Sequence, residues 1–294
     1  MKPVFKQLTS VLAAMAVFGG AHFAQPAMAS SGAGGQVLTF GIVPQQSASR
    51  LAKMWGPFLA ELSAQTGVTF RFRTTKDIPT FEACLASGAF DVAYMNPMHY
   101  TIFSSEASYT AIAHQSDKRL KGVLVARADA SFEDLEGLQG GTVAFPSPGA
   151  FGASILNRAL LAENGVEFDP AYVKSHDSVY RAVAAGLMVA GGGVTRTFNA
   201  VDPEIRAQLQ IIQETPGYTP HAIAVHGAVD AQLRDGIQGA LMTIAEAQPT
   251  LVTGIGMKGF VAAGDSAWDD VRSLEMSRDE TGISRKGDAV CPSD

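Results

Sequence analysis

Twice along this chain, short apolar runs of strand length alternate with segments whose apolar residues recur every three to four positions. That exchange of period two for period 3.6 restricts the fold to α/β architecture. The first series runs from Val37 to Arg127 and the second from Thr142 to Gln213. The run Val37 to Val43 (VLTFGIV) is apolar throughout, as a strand covered by helices on both faces must be. After Pro44, residues Leu51, Met54, Trp55, Phe58, Leu59 and Leu62 share one helical face. Strand patterns follow at Thr69 to Arg73, Phe90 to Tyr94, Tyr109 to Ala113 and Gly122 to Arg127. The second series opens on Thr142 to Phe145 and continues with brief strands at Tyr172 to Lys174, Leu187 to Ala190 and Gln210 to Gln213. After an apolar strand at His221 to Val225, the pattern from Val229 onward is wholly helical. Two lobes, each with its own sheet, are therefore expected.

The ends of the chain fall outside this pattern. Lys2 and Lys6, the apolar run Val11 to Phe18, Pro26 and the triplet Ala27-Met28-Ala29 have the layout of a secretory signal peptide cleaved near Ala29. Cleavage there leaves 294 − 29 = 265 residues and moves the formal charge from −6 to −6 − 2 = −8. No later apolar run has the length of a membrane helix. So acidic a chain is no general partner for nucleic acid or anionic membrane, and an anion would have to be held by local donors in a recess. Residues 277–294 read as a disordered polar tail. Cys84 sits in an apolar helical pattern while Cys291 lies in that tail, so Cys84 is expected as a buried free thiol rather than a disulfide partner.

Three junctions carry polar chemistry. Thr142 to Phe145 passes through Pro146-Ser147-Pro148-Gly149 into a helix. Backbone N–H groups at such a helix start make an anion seat, although an ordinary βα turn looks the same in sequence. Phe90 to Tyr94 runs into Asn96-Pro97, which caps a helix bearing His99 and Tyr100; the tyrosines fit packing as well as ligand contact. Gly191-Gly192-Gly193 reads as a loop before Thr195 and Arg196, where the arginine is either an oxyanion fork or a surface residue. No cofactor motif or metal-ligand spacing is present; His221 and His226 do not share a strand face. Ser175-His176-Asp177 are consecutive and cannot line up as a catalytic triad, so no enzyme is expected.

The segments FGIVPQQ (Phe40 to Gln46), FEACLASGAFDVAYMNPMHY (Phe81 to Tyr100), PSPGAFGAS (Pro146 to Ser154), SHDSVYRAVAAG (Ser175 to Gly186) and GGGVTRTF (Gly191 to Phe198) resemble, in order and spacing, the phosphate/phosphite/phosphonate-binding proteins of ABC importers, the PhnD-like group. The resemblance runs from about Val37 to about Trp268. It implies a type II periplasmic binding protein with a ligand cleft between two α/β lobes. Lobe 1 would comprise residues 30–127 and 219–276, and lobe 2 residues 128–218, with the helical C-terminus packed back on lobe 1. It further implies a ligand held by Ser147 and the following backbone, by Tyr94 and by His176. With the junction residues added, the candidate ligand-binding set is Tyr94, Asn96, His99, Ser147, Gly149, Ala150, His176, Thr195 and Arg196. This chain departs from the group in having few hydroxyls after Ser147, and no acid in Gly191 to Thr197 to meet an amino-phosphonate. Phosphite, phosphate or a simple alkylphosphonate is therefore the expected ligand, delivered by a monomeric periplasmic protein to an ABC permease. The alternative is a sensor subunit that presents an oxyanion, or arsenite through Cys84, to a membrane histidine kinase.

Overall fold

The computed structural model describes residues 35–132, 134–276, 278–283 and 291, so the signal-peptide reading of residues 1–29 lies outside it. The described strands are β1 (Val37–Ile42), β2 (Thr69–Arg73), β3 (Val92–Met95), β4 (Tyr109–Gln115), β5 (Gly122–Arg127), β6 (Thr142–Phe145), β7 (Asp169–Tyr172), β8 (Ala190–Val194), β9 (Leu209–Glu214), β10 (Ala222–His226) and β11 (Phe260–Ala262). They form two sheets, ordered β11-β4-β10-β3-β1-β2 and β7-β6-β8-β5-β9. In each sheet three parallel strands built by βα units meet antiparallel strands contributed by the lobe crossovers.

Helix α1 (Ala48–Thr66) runs unbroken across Pro57, capped by Ser47 at its start and by left-handed Gly67 at its end. It buries Leu51, Trp55, Phe58, Leu59 and Leu62 on the first sheet. Helices α2 (Ile78–Ala86) and α3 (Pro97–Glu106) each begin with a proline in the first turn and a capping side chain, Asp77 and Asn96 respectively. The second sheet carries α4 (Leu156–Glu163), α5 (His176–Ala184), α6 (Thr195–Ala200) and α7 (Pro203–Arg206). Then come α8 (Ala231–Ala247), α9 (Pro249–Gly254) and α10 (Asp269–Arg272), whose Ile237, Leu241, Ile244, Val252 and Val271 join the core of the first sheet, together with Trp268. The C-terminal segment thus packs back on the first lobe. It is not wholly helical, since β11 adds an antiparallel edge strand beside β4.

Three expectations about organisation are corrected. β5 pairs with β8 and β9, so the first crossover is not at residue 127 but at 116–121, directly after β4. Periodicity could not show this, because an apolar strand fits either sheet. The return crossover occupies 215–221, and the two connections are bonded to each other, with Leu120 N–H donating to Tyr218 O at 2.7 Å and Tyr218 N–H to Leu120 O at 2.9 Å. The tail is not uniformly disordered: α11 (Arg278–Thr281) precedes a buried Ile283, and Gly282 lies against Pro148. Cys84 is not a free thiol, because Cys291 reaches it across 207 residues to form a disulfide with Cα atoms 5.6 Å apart.

The triple glycine is not a loop either. Gly191, Gly192 and Gly193 lie within β8, in the middle of the second sheet. A Cβ on Gly192 would land on the carbonyl oxygen of Ala153, one on Gly193 on the Tyr180 hydroxyl, and one on Gly191 against Val179. The alternation of strand faces explains the three together: Gly191 and Gly193 let α5 approach, and Gly192 lets the turn before α4 approach.

Candidate functional site

The seat expected after β6 takes its shape from a π-helical turn, Phe151–Ile155, that leads into α4. Ile155 N–H reaches back to Ala150 O at 3.2 Å, the widened turn that π-bulges share. The buried Asn157 holds it open, its Nδ2 donating to Gly152 O at 2.9 Å and Ala153 O at 3.1 Å. At the start of the turn the N–H groups of Phe151, Gly152 and Ala153 find no acceptor among the described residues. They border a cavity of about 10 Å³, room for the centre of one water-sized group.

The walls of that cavity come from both lobes. Val43 and Gln45 lie after β1, Ile78 at the start of α2, and Asn96 after β3. Ala150, Val194 and His176 face them from the second lobe, and His221 from the return crossover. The lobes are in contact around it. Asn96 Nδ2 donates to Gly149 O at 3.1 Å, His176 N–H donates to Gln45 O at 3.2 Å, and Arg196 donates to Gln45 Oε1. Ala150, Phe151, Ala153 and Ile155 belong to the same apolar core as the first sheet, so the turn is packed onto the opposite lobe.

Two histidines face the cavity and both are neutral. Burial and the nearby Arg196 guanidinium push His176 down to about 3, and burial with Arg196 pushes His221 well below the usual histidine range. His176 Nδ1 lies 3.0 Å from Thr197 Oγ1, which in turn lies 2.7 Å from the Tyr180 hydroxyl. Thr197 Oγ1 donates to Val194 O at 3.0 Å, so it accepts from His176 Nδ1–H and leaves Nε2 as an acceptor for a ligand hydroxyl. His221 stacks on Tyr94 with ring centroids 4.9 Å apart, and its Nε2 is buried without a partner among the described residues.

A histidine held neutral by the fold takes up fewer protons than the same residue in the unfolded chain. Between about pH 6.5 and the depressed folded values, stability therefore falls as pH falls, by up to about 1.4 kcal/mol per pH unit for each ring. The melting temperature of the ligand-free protein is expected to drop from about pH 7 to about pH 5. The double variant His176→Gln/His221→Gln is expected to flatten that slope. Parallel slopes for the two proteins would contradict it.

Of the candidate residues, Asn96, Ala150 and His176 line this cavity, while Tyr94, Thr195 and Arg196 line an adjoining one. Three others do not line either. His99 is fully buried, with Nε2 donating to Glu82 Oε1 at 3.1 Å and lying 2.9 Å from Asn96 Nδ2. Gly149 packs over that pair, because a Cβ there would meet Glu82 Oε1 and Ile283. Ser147 is buried with its hydroxyl unpartnered, away from the cavity lining. His99 and Gly149 thus belong to the contact between the lobes. Sequence reasoning missed Gln45 and His221. Gln45 lies three residues past the end of β1 and His221 immediately before β10, so the signal available for both was their place next to a strand end. Cys84 is fully buried in its disulfide and absent from both cavities, so it offers no thiol to arsenite.

A family model described as "ABC transporter, phosphonate, periplasmic substrate-binding protein" matches residues 40–268. Among solved structures, a binding protein component of an ABC phosphonate transporter from Pseudomonas aeruginosa is 18% identical, with a TM-score of 0.75 over 86% of this chain and 90% of that one. PhnD1 from Prochlorococcus marinus, in complex with methylphosphonate, is 18% identical, with a TM-score of 0.74 over 81% of this chain and 97% of that one. A histidine kinase sensor domain with similarity to periplasmic binding proteins is 16% identical, with a TM-score of 0.55 over 78% of this chain and 99% of that one. These likenesses show the fold of a periplasmic binding protein, and the family match covers both lobes and every wall of the cavity. The chain belongs to the periplasmic substrate-binding proteins of ABC phosphonate transporters.

Proposed function

We propose that the protein captures a small phosphorus oxyanion, a simple phosphonate, phosphite or phosphate, between its lobes and delivers it to the permease of an ABC importer. The observation that carries this reading is the row of N–H groups on Phe151, Gly152 and Ala153, without an acceptor among the described residues, bordering a cavity beside neutral His176 and His221. Such N–H groups favour negative charge without a neighbouring cation. Nε2 of His176 suits an oxygen that keeps its proton, as a singly charged phosphonate has. Similarity to PhnD1, whose structure holds methylphosphonate, supports the ligand class. The bonded pair of crossovers at Leu120 and Tyr218 is the short two-strand link about which such lobes open and close.

Calorimetry with methylphosphonate, phosphite and phosphate tests the proposal. At least one is expected to bind with a dissociation constant of about 1 μM or below, near −8 kcal/mol. At about a thousandfold excess over that constant, the ligand is expected to add about 4 kcal/mol of stability. His176→Ala is expected to weaken binding at least about tenfold, the worth of one hydrogen bond to a charged group. Silence across the three anions would refute the reading. A sensor role shares this fold and this cavity. Pull-down of the ligand-loaded protein by a permease rather than by a kinase ectodomain distinguishes the two.

A further inference from the structure

Next to the phosphoryl cavity lies a second one of about 20 Å³, sharing Val194 and His221 with it. Gln115, Lys118, Lys121, Thr195 and Arg196 complete its polar lining, and no carboxylate is among its walls. Three cations at one recess contrast with a chain whose net charge is −6. Lys121 is balanced by Glu214 at 3.0 Å. Arg196 and Lys118 have no carboxylate partner among the described residues.

What Arg196 does have is neutral. It donates to Gln45 Oε1, and its guanidinium carbon lies 5.7 Å from the centre of the Tyr94 ring. Lys118 is half-buried, and its ammonium is held below the usual lysine range by that burial and by Arg196 and Lys258. Like charges gathered in a partly desolvated recess cost free energy, and an anion seated between them returns it. His221, with its unpartnered Nε2, stands in the wall shared by the two cavities.

We infer that the ligand spans both cavities: its phosphoryl end at the helix start and a second acid group, on a short carbon linker, between Lys118 and Arg196. The preferred class is then a phosphonate carrying a carboxylate or a further phosphoryl group. An amine at the same end would enter a recess that already holds uncompensated cations. The inference rests on the proposed function for the phosphoryl end and adds the identity of the other end.

Calorimetry at one fixed ionic strength with phosphonoacetate, methylphosphonate and 2-aminoethylphosphonate decides it. Phosphonoacetate is expected to bind at least about tenfold tighter than methylphosphonate, as one charge-assisted bond implies, and 2-aminoethylphosphonate more weakly than either. Lys118→Met is expected to collapse the ratio of phosphonoacetate to methylphosphonate affinity towards one. Its ligand-free melting temperature should be no lower than that of the wild type, since an uncompensated cation has been removed. If methylphosphonate binds and phosphonoacetate binds no tighter, the second-anion inference is overturned while the phosphoryl reading stands. A preference that persists in both Lys118→Met and Arg196→Met also overturns it. If no phosphoryl compound binds, both readings fall together.

Discussion

Gly192→Ala is expected to cost more than about 4 kcal/mol, enough to leave little folded protein. The added methyl would fall on the carbonyl oxygen of Ala153 and against the Phe145 ring. Neither neighbour can yield cheaply. Ala153 belongs to the π-helical turn clamped by Asn157, and β8 is held on both sides, by β6 and by β5. Any molecules that do fold must displace the turn whose N–H groups border the cavity, so they should also lose ligand affinity. Gly236→Ala is the matched control: in α8, with nothing within 4 Å of its added Cβ, the same change is expected to raise stability by about 0.5–1 kcal/mol. Urea unfolding of the two variants measures both. A Gly192→Ala protein within about 1 kcal/mol of the wild type would show that the strand and the turn are not in the contact described.

Cys84→Ala combined with Cys291→Ala is expected to cost about 2–5 kcal/mol. The bridge closes a loop of 207 residues, for which chain-entropy reasoning gives about 5 kcal/mol as the upper figure. Its consequences reach the site loop. Buried Thr281 and Ile283 lie on the path from α10 to Cys291, Gly282 lies against Pro148, and Ile283 lies against Gly149. Without the bridge this segment loses its covalent tie to α2. Amide hydrogen exchange of residues 278–283 is expected to accelerate more than exchange in β1 or β3. Unchanged exchange there, together with unchanged stability, would show that the bridge does not hold the segment. A disulfide also suits an exported protein, in keeping with a periplasmic family.

Much of the fold was legible because the relevant signals are local. Strands β1 to β6, β9 and β10 were found by period two and by turn residues. Asn96 and Ser175 act as helix caps, a role that needs only the next three residues. Two brief strands were misplaced: β7 lies at Asp169–Tyr172 and β8 at Ala190–Val194, so the readings Tyr172 to Lys174 and Leu187 to Ala190 share one residue each with the strands observed, because pairing rather than propensity sets their limits.

Glycine, histidine and cysteine were the residues most open to misreading. A run of three glycines looks like a loop until its neighbours are known, because a missing side chain serves close packing as well as free rotation. His99 and His176 each follow a helix cap within a few residues. Only the packing of α2 places Glu82 against His99, and only β8 and α6 place Thr197 against His176.

The pattern of apolar residues along the chain was enough for two α/β lobes, a helix start after Phe145 and a polar junction after Tyr94, since each depends on neighbours within a turn or a strand. The meeting of Gln45, Asn96, His176, His221 and the N–H groups of Phe151 to Ala153 around one cavity, and the reach of Cys291 to Cys84, were decided only by the tertiary structure. Such contacts join residues up to 207 positions apart, and they are selected by which sheet each strand enters and which surfaces fit, quantities that no local period encodes.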